Sequence, residues 1–433
     1  MAMDGKELVE KLAKLSQVQS IKDIPQLTHA LFPGTHCPLM GAAMAVGGIK
    51  DSLIVVVGTD ECTYYTKSMT IHSEKFGGID GRCVSVVLDD HDVTFGSAEK
   101  VQEAFKEIIE EYRPQCVFLV TTCVIEIIGD DFDAISEGLS ELYGIPVLPV
   151  HTEHFKCEDH LPGLERTITV CAEMMKSCDC ENSVNLLGQR MGDFATTELY
   201  AMLQKAGVKI GLQLPCGCSV DDIKNAAAAK VNIVVNDIAL PLAQKMQEKF
   251  GIPYVYFNKF VIPEKIYEAY KNLFVYLDLE LPGELEGLYQ NAREKIEKNK
   301  GELEGITYIY GNTPYAVFEM NCFLSSLGMV PQVIQTNRYT EADEPYAKEI
   351  LQYTDPYVCK AANIAPLQYV YDVLSPYLYL GHEFGNRLRQ KGIAIVDSDR
   401  ASGMLGFEVT GYLLQQLVKS VREAKEYRKE LGL

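Results

Sequence analysis

The chain has 433 residues, with 60 acidic and 40 basic side chains and a net charge of −20. An apolar content of 47% excludes extended disorder, and the length predicts roughly two to four domains. The acidic balance argues against nucleic acid and anionic membranes as partners. No stretch has the ~20 apolar residues of a membrane span, and the charged start lacks a secretion signal, so we expect a cytoplasmic protein.

Short β-branched runs alternate with helical segments along the whole chain. The runs form three groups: 52–58, 83–88, 116–122 and 145–150; then 184–188, 208–214, 231–236 and 253–257; and finally 306–311, 331–336, 377–381 and 393–397. Their continuous hydrophobicity is typical of strands that are buried on both faces of a parallel sheet. The sequence therefore predicts an α/β fold of three doubly wound, Rossmann-like domains.

Two polar stretches suggest where these domains meet. One is the cysteine-rich segment 171–183, and the other is the densely charged segment 281–305, which we expect to form an exposed helix. The predicted domains span residues 1–180, 181–280 and 281–433, the last with a C-terminal helix. Neither a G-x-x-x-x-G-K-[ST] nor a G-x-G-x-x-G motif occurs, so no ATP or NAD site is expected in this chain.

Cysteines are concentrated near the start, where nine of the 13 lie in the first 180 residues. In a reducing compartment, cysteine clusters indicate metal or redox chemistry more often than disulfides. Cys62 and Cys123 closely follow the predicted strands 52–58 and 116–122, and Cys37 lies in a turn-rich stretch before them. A lone loop cysteine is more often structural, but three at one sheet edge can converge on an iron–sulfur cluster.

Three motifs surround these cysteines: Cys37-Pro-Leu-Met-Gly-Ala, Gly58-Thr-Asp-Glu-Cys62 followed by Tyr64 and Tyr65, and Thr121-Thr122-Cys123-Val-Ile-Glu-Ile-Ile-Gly129-Asp130-Asp131. With Thr94-Phe95-Gly96 and Tyr112-Arg-Pro between them, they make the chain resemble component 1 of the nitrogenase superfamily. The resemblance is strongest to β-type subunits and nitrogenase-like reductases. It continues more weakly to the C-terminus, through 149–152, 184–210, 220–235, 246–258 and 404–411.

The resemblance implies a specific site and specific partners. Cys37, Cys62 and Cys123 match cysteines that hold an iron–sulfur cluster, [4Fe–4S] or larger, at an interface between two related subunits. Three ligands from one chain leave a gap that a related component 1 subunit would fill, in a homodimer or a heteromer. A separate ATP-dependent iron protein would supply the electrons.

The chain also departs from the catalytic subunits of that family. Those subunits bind a second, larger metal cofactor through one cysteine and one histidine. The matching positions here are Ala243 and either Asp397 or Ser398, which do not replace those ligands. Reduction of dinitrogen is therefore not expected, whereas a different metal cofactor or a tetrapyrrole substrate stays open.

Two further loops carry candidate residues. The loop 151–160 matches one that reaches the cofactor pocket in the family. Its His160 is a candidate proton donor, because a histidine titrates near neutral pH, and its Cys157 is a candidate metal ligand; the alternative is a solvated, hydrogen-bonded loop. Cys216 and Cys218 follow the predicted strand 208–214 and are also candidate metal ligands, or they pack without metal.

The leading interpretation is a component 1-like subunit of a nitrogenase-like reductase. This oxidoreductase component would pass electrons from the iron protein through the cluster to an unidentified substrate. One alternative is a scaffold on which a nitrogenase-type metal cofactor is assembled, and another is a non-catalytic, β-like partner subunit.

Overall fold

A computed structural model describes residues 4–27, 37–72, 82–157, 159–190, 192–258, 260–311, 313, 316–360 and 364–433. Within these ranges, parallel sheets alternate with helices in three successive units, which confirms the expected α/β, Rossmann-like architecture. None of the described helices combines the length and the apolar character needed to cross a bilayer.

The chain begins with an N-terminal segment and the first unit. Their elements are α1 (Gly5–Glu10), β1 (Ala13–Lys14), α2 (Pro38–Gly47), β2 (Ile49–Lys50), β3 (Ser52–Gly58), α3 (Asp60–His72), β4 (Cys83–Val87), α4 (Asp90–Phe95), α5 (Ala98–Tyr112), β5 (Cys116–Thr121), α6 (Cys123–Ile128), α7 (Phe132–Tyr143), β6 (Val147–Val150) and α8 (Leu161–Val170).

The second unit follows. It contains β7 (Glu181–Gln189), α9 (Glu198–Lys205), β8 (Lys209–Pro215), β9 (Cys218–Ser219), α10 (Val220–Lys224), β10 (Ala229–Val234), α11 (Leu240–Phe250), β11 (Tyr254–Tyr256), α12 (Pro263–Leu277) and α13 (Leu285–Leu303).

The third unit completes the described chain. It contains β12 (Thr307–Tyr310), α14 (Val317–Ser326), β13 (Val330–Gln335), α15 (Glu344–Ile350), β14 (Tyr357–Cys359), α16 (Ile364–Leu374), β15 (Leu378–Leu380), α17 (Gly385–Arg389), β16 (Ala394–Val396) and α18 (Glu408–Leu431).

The first sheet has the strand order β4-β3-β5-β6, and all of its strands are parallel. Along β3, Ile54 and Val56 enter one hydrophobic core, while Leu53, Val55 and Val57 enter the core on the opposite face. Burial on both faces explains the unbroken hydrophobic run in the sequence. The strand order reverses between β3 and β5, and such a reversal leaves a crevice beyond the carboxyl ends of the two strands.

The other two sheets are also built mainly from parallel strands. The second has the parallel order β11-β10-β7-β8, and the third has the order β1-β14-β13-β12-β15-β16. In the third sheet only β1 runs antiparallel, pairing Ala13 with Val358. The N-terminal segment also buries Leu8, Leu12 and Leu15 in the cores of the third unit. This segment therefore packs with the third sheet, although the sequence analysis had grouped it with residues 1–180.

The first and second units share a continuous core. Ile49 of β2 pairs with Cys218 of β9, and side chains from both sheets meet in one hydrophobic cluster. Inside that cluster α2 packs closely on α8, because Gly41 faces the carbonyl of His160 and Gly163 faces the carbonyl of Pro38. This packing fixes the start of α2, where Cys37 lies, against the first sheet.

Candidate iron–sulfur centre

The three predicted cluster cysteines all lie at helix N-termini. Cys37 is the N-cap residue of α2, Cys62 lies in the first turn of α3, and Cys123 is the first residue of α6. The helices α3 and α6 follow β3 and β5, so Cys62 and Cys123 flank the crevice where the strand order reverses. Helix N-termini carry partial positive charge, which stabilises thiolates and anionic groups bound to them.

The structure brings the three thiols together. Burial, together with the adjacent thiols of Cys123 and Cys37, raises the pKa of Cys62 to about 11. The pKa of Tyr65 is raised by burial and by the neighbouring Cys37. All three cysteines are half-buried, so this group of residues is partly open to solvent.

The donor set fits an iron–sulfur cluster. Among the described residues, no three His, Cys, Asp or Glu side chains lie close enough to bind a single metal ion. A multi-iron cluster contains its own sulfide and spreads its thiolate ligands over a wider area, and iron favours soft thiolate donors. Three neighbouring thiols that do not form a compact site for a single ion among the described residues therefore suit a cluster better than one ion.

A buried hydroxyl beside Cys123 supports the same fit. Thr122 is only 2% exposed, and within the described part of the chain its hydroxyl has no hydrogen-bond partner. Its side chain occupies the space left open by Gly58, at the end of β3. An unpartnered buried donor is costly, and a sulfur acceptor in the crevice would satisfy it.

Large apolar side chains surround the crevice and face solvent. Tyr64 follows Cys62 by two residues, Ile127 follows Cys123 by one helical turn, and Phe95 ends the helix α4 that contacts α6. Tyr64 is 71% exposed, Ile127 is 70% exposed and Phe95 is 76% exposed. Exposed apolar patches of this kind mark surfaces that bind other macromolecules. We refer to Tyr64, Phe95 and Ile127 as the apolar rim.

A cavity of about 340 Å³ adjoins the Cys123 helix. Its walls include Ile125, Glu126 and Ile127 of α6, together with His151 and Phe155 from the loop after β6. The Glu126 carboxylate accepts hydrogen bonds from the end of β5 and from that loop. The sequence analysis did not single out Glu126; its place one turn after Cys123 was the available signal.

The loop 151–160 is held mainly by contacts within the first unit. Arg166 donates to the backbone carbonyls of His151 and Thr152, and the Cys157 thiol donates to the Thr152 carbonyl at 3.7 Å. Burial raises the pKa of Cys157, whereas the nearby Arg166 lowers it. His160 occupies the N-cap position of α8. The described contacts thus give Cys157 a structural place in the loop.

Cys216 and Cys218, the candidate metal ligands after β8, differ in their burial. Cys218 is buried in the shared core, where burial raises its pKa to about 12. Cys216 is half-buried, and its thiol donates to the Arg190 carbonyl at 3.2 Å. The described residues provide no third donor for a metal at this pair.

Charged side chains that the sequence analysis missed lie where the three units meet. Arg338 of the third unit has its Nη2 atom 3.8 Å from Oδ1 of Asp159 in the first. Burial lowers the pKa of Arg190 and raises that of Asp237, both in the second unit. Burial of mixed charges at a junction between domains is typical of a site that handles a polar ligand.

The fold and this crevice define a three-unit α/β protein with a thiol-lined edge, and sequence comparison places it in a family. The sequence model of the family described as nitrogenase component 1 type oxidoreductase matches residues 37–422, and the chain belongs to this family. The membership expected from the cysteine motifs is therefore confirmed.

Individual relatives are mainly proteins of cofactor assembly. The chain is 31% identical over 224 residues to "Nitrogenase iron-molybdenum cofactor biosynthesis protein NifE" of Clostridium pasteurianum, covering 51% of this chain and 49% of that protein. It is 25% identical to the protein of the same name from Rippkaea orientalis, covering 73% and 69%. It is also 24% identical to the nitrogenase molybdenum-iron protein alpha chain of Methanosarcina barkeri, covering 72% and 62%.

Solved structures confirm the fold alone. A structure titled "Nitrogenase Cp1 at pH 6.5" superposes with a TM-score of 0.77 at 15% identity, covering 92% of this chain and 94% of the other. At that identity the likeness establishes the arrangement of sheets and helices only. The chemistry must be argued from the residues of this chain.

Proposed function

We propose that this chain is a scaffold subunit for the assembly of a nitrogenase-type metal cofactor, and that it holds an iron–sulfur cluster on Cys37, Cys62 and Cys123. The observation that carries the proposal is the similarity to cofactor biosynthesis proteins from several organisms. The maturing metal cofactor would be cargo of the scaffold rather than a permanent part of it.

The residues of the catalytic subunits' second site support a scaffold over a dinitrogen-reducing enzyme. Ala243, at the position of the cysteine ligand, is fully buried in α11 and has no metal-binding atom. Ser398, at one of the two positions considered for the histidine ligand, is 7% exposed. A scaffold benefits from weaker attachment, because its cargo must leave.

Residues around the three cysteines have separable roles in this proposal. When bound, the cluster supplies one-electron transfer or a nucleus for metal assembly. The thiolates of the three cysteines would hold it, the helix N-termini would stabilise its negative charge, and the Thr122 hydroxyl would be available to donate a hydrogen bond. The partly open crevice leaves room for a ligand from outside the chain.

A related component 1 subunit is the proposed partner at this crevice. The apolar rim lies beside the cysteines, and burying large apolar side chains is a main source of affinity in protein interfaces. The partner would complete the ligand set, in a homodimer or a heteromer. An ATP-dependent iron protein would deliver electrons, since this chain has no phosphate-binding loop.

A reductase component is the second candidate, and two observations favour it. The relatives include nitrogenase molybdenum-iron alpha chains, and charged side chains converge where the three units meet. In that reading a substrate occupies the junction and His160 supplies a proton.

The first experiment measures iron, acid-labile sulfide and electron paramagnetic resonance on anaerobically purified protein. Cys37→Ala, Cys62→Ala and Cys123→Ala are each expected to abolish the signal, and Cys178→Ala, at an exposed site remote in sequence, is the control. Wild-type protein without iron, or a Cys123→Ala variant with full iron content, would overturn the cluster assignment.

The second experiment separates the two candidates. The loaded protein is mixed with a cofactor-free component 1 protein, and metal transfer is followed beside turnover of small reducible compounds. Stoichiometric transfer without turnover is the result expected of a scaffold, whereas multiple turnovers would favour the reductase.

A further inference from the structure

Glu126 connects three separate elements beside Cys123. Its Oε1 atom accepts a hydrogen bond of 2.8 Å from the Thr121 hydroxyl at the end of β5. The same atom accepts bonds of 3.2 Å from the Thr152 hydroxyl and 2.6 Å from the Glu153 N–H, both in the loop after β6. Glu126 itself lies in α6, one turn after Cys123, so a single carboxylate ties this helix to two neighbouring strand ends.

The donors that Glu126 satisfies have little access to water. Thr121 and Thr152 are each 1% exposed. Removing the acceptor would leave the Thr152 hydroxyl and the Glu153 N–H without their carboxylate partner. A buried hydroxyl such as that of Thr152 costs more free energy when it is left without a partner than the bond itself contributes. The position therefore requires an acceptor oxygen on α6.

The backbone of the loop is strained where it meets Glu126. Glu153 has φ 44° and ψ 46°, a left-handed conformation that residues other than glycine seldom adopt. The Glu126 carboxylate holds the N–H of this residue, and Arg166 holds its side chain with Nη2 2.6 Å from Oε2. Strain of this kind persists only where surrounding contacts enforce it.

A short helix cannot fix its first residue without such contacts. The helix α6 has six residues, and Cys123 begins it with no side-chain hydrogen bond at the preceding N-cap, Thr122. Short helices are marginally stable alone, so the direction of the Cys123 side chain depends on tertiary contacts of α6. Glu126 holds this turn through its polar contacts with β5 and the following loop.

We propose that Glu126 is a positioning residue that holds Cys123 in the orientation needed for cluster binding, by locking α6 to β5 and to the strained loop after β6. This inference rests on the proposed cluster role of Cys123. Glu126 acts through Cys123 and does not itself bind the cluster. Outer residues that orient ligands commonly change metal retention by about ten- to a hundredfold.

The test compares Glu126→Ala and Glu126→Gln with the wild type. Glutamine keeps an acceptor oxygen at the same place, so Glu126→Gln is expected to retain iron and the wild-type resonance line shape. Glu126→Ala is expected to lose iron to a chelator about tenfold faster and to give a broadened, heterogeneous signal. Glu137→Ala, on an exposed turn of α7, is the matched control and should behave as the wild type.

A measurement on metal-free protein separates this inference from the proposed function. Alkylation of Cys123 by iodoacetamide, followed by mass spectrometry, should be about fivefold faster in Glu126→Ala, because the turn opens more often. Far-ultraviolet circular dichroism shows whether each variant is folded. A wild type that binds no iron would sink the cluster assignment, yet the alkylation comparison would still report on Glu126.

Two outcomes overturn the positioning role itself. One is a folded Glu126→Ala variant whose alkylation rate, iron retention and line shape all equal those of the wild type. The other is a Glu126→Gln variant that fails as completely as Glu126→Ala, because that result would assign the effect to negative charge rather than to an acceptor in the right place.

Discussion

Two glutamates, Glu198 and Glu408, join the second and third units through hydrogen bonds. Glu198, at the start of α9, accepts hydrogen bonds of 3.0 Å from the Tyr270 hydroxyl and from the Phe407 N–H. Glu408, at the start of α18, accepts one of 3.1 Å from the Glu198 N–H. The second and third units thus cap each other's helices, and Glu198 lies in the buried part of their contact.

Burial raises the pKa of Glu198 above its ordinary value of 4.5, and the hydrogen bonds from Phe407 and Tyr270 only partly oppose this. The folded chain therefore holds the proton more tightly than the unfolded chain. Stability from this group is greatest at low pH and falls as pH rises through the raised pKa.

Glu198→Gln should remove that fall, because the amide keeps an acceptor and does not ionise. We expect its melting temperature, relative to wild type, to rise as the pH is increased above the ordinary glutamate pKa of 4.5. Glu137→Gln, at an exposed site, should show a difference that is independent of pH. A constant offset for Glu198→Gln over the same range would contradict the assignment.

At the residue scale, the sequence singled out three cysteines that the fold brings together, and it did not reveal the residues that support them. Cys37, Cys62 and Cys123 were identified because they lie in motifs and follow predicted strands. Glu126 and Arg338 were missed, because their partners are distant in sequence and become neighbours only after the chain has folded.

At the scale of elements, the contact between α2 and α8 determines where Cys37 lies. Both helices contribute a glycine to their contact, and a Cβ atom at either Gly41 or Gly163 would overlap a backbone carbonyl oxygen of the other helix. Backbone atoms cannot move aside as flexible side chains can, so a larger residue must push the helices apart.

Gly163→Ala is expected to lower the free energy of unfolding by about 3 kcal/mol and to speed iron loss through displacement of Cys37. Gly138→Ala is the matched control, because a methyl group at that helical position meets nothing within 4 Å. The control should be neutral or should stabilise by about 0.5 kcal/mol. Urea denaturation midpoints measure both effects, and equal midpoints for the two variants would refute the packing account.

The elements themselves were largely accessible from sequence. Each of the twelve predicted strand runs overlaps a strand of the structure, since a run buried on both faces has a strong hydrophobic signature. The strands β1, β2, β9 and β14 were missed, because two or three residues carry no readable period. Their positions are set by partners elsewhere in the chain, as in the pairing of Ala13 with Val358.

At the scale of the whole molecule, the N-terminal segment closes one edge of the third sheet. The strand β1 covers β14, and Lys14 lies 3.6 Å from the centre of the Tyr357 ring. Apolar residues of the segment are buried against the same unit. An uncovered sheet edge exposes unpaired backbone groups, so this segment contributes to the stability of the third unit.

Deletion of residues 1–27 should therefore loosen the third sheet and leave the first unchanged. In hydrogen-exchange mass spectrometry we expect faster exchange over Tyr357–Cys359 and Val330–Gln335, with no change over Ser52–Gly58. The opposite pattern, with faster exchange confined to the first sheet, would place the segment with the first unit instead.

The apolar rim should control assembly without affecting the fold of one chain. Replacing Phe95 and Ile127 together by serine is expected to weaken association in the anaerobically purified complex by at least about tenfold, measured by sedimentation. The melting temperature should be unchanged, because both side chains already contact solvent. Val275→Ser, 76% exposed on α12, is the control, and equal association of all variants would exclude the rim as an interface.

The sequence by itself determined the three α/β units, the family and the cysteines proposed to hold a cluster, because hydrophobic runs and short motifs are local properties of the chain. Tertiary structure alone brought the three thiols together, placed the N-terminal segment on the third sheet and joined Glu126 to the loop after β6. These features depend on contacts between residues far apart in sequence. Such contacts follow from strand order, close helix packing and the requirement that buried polar groups find partners.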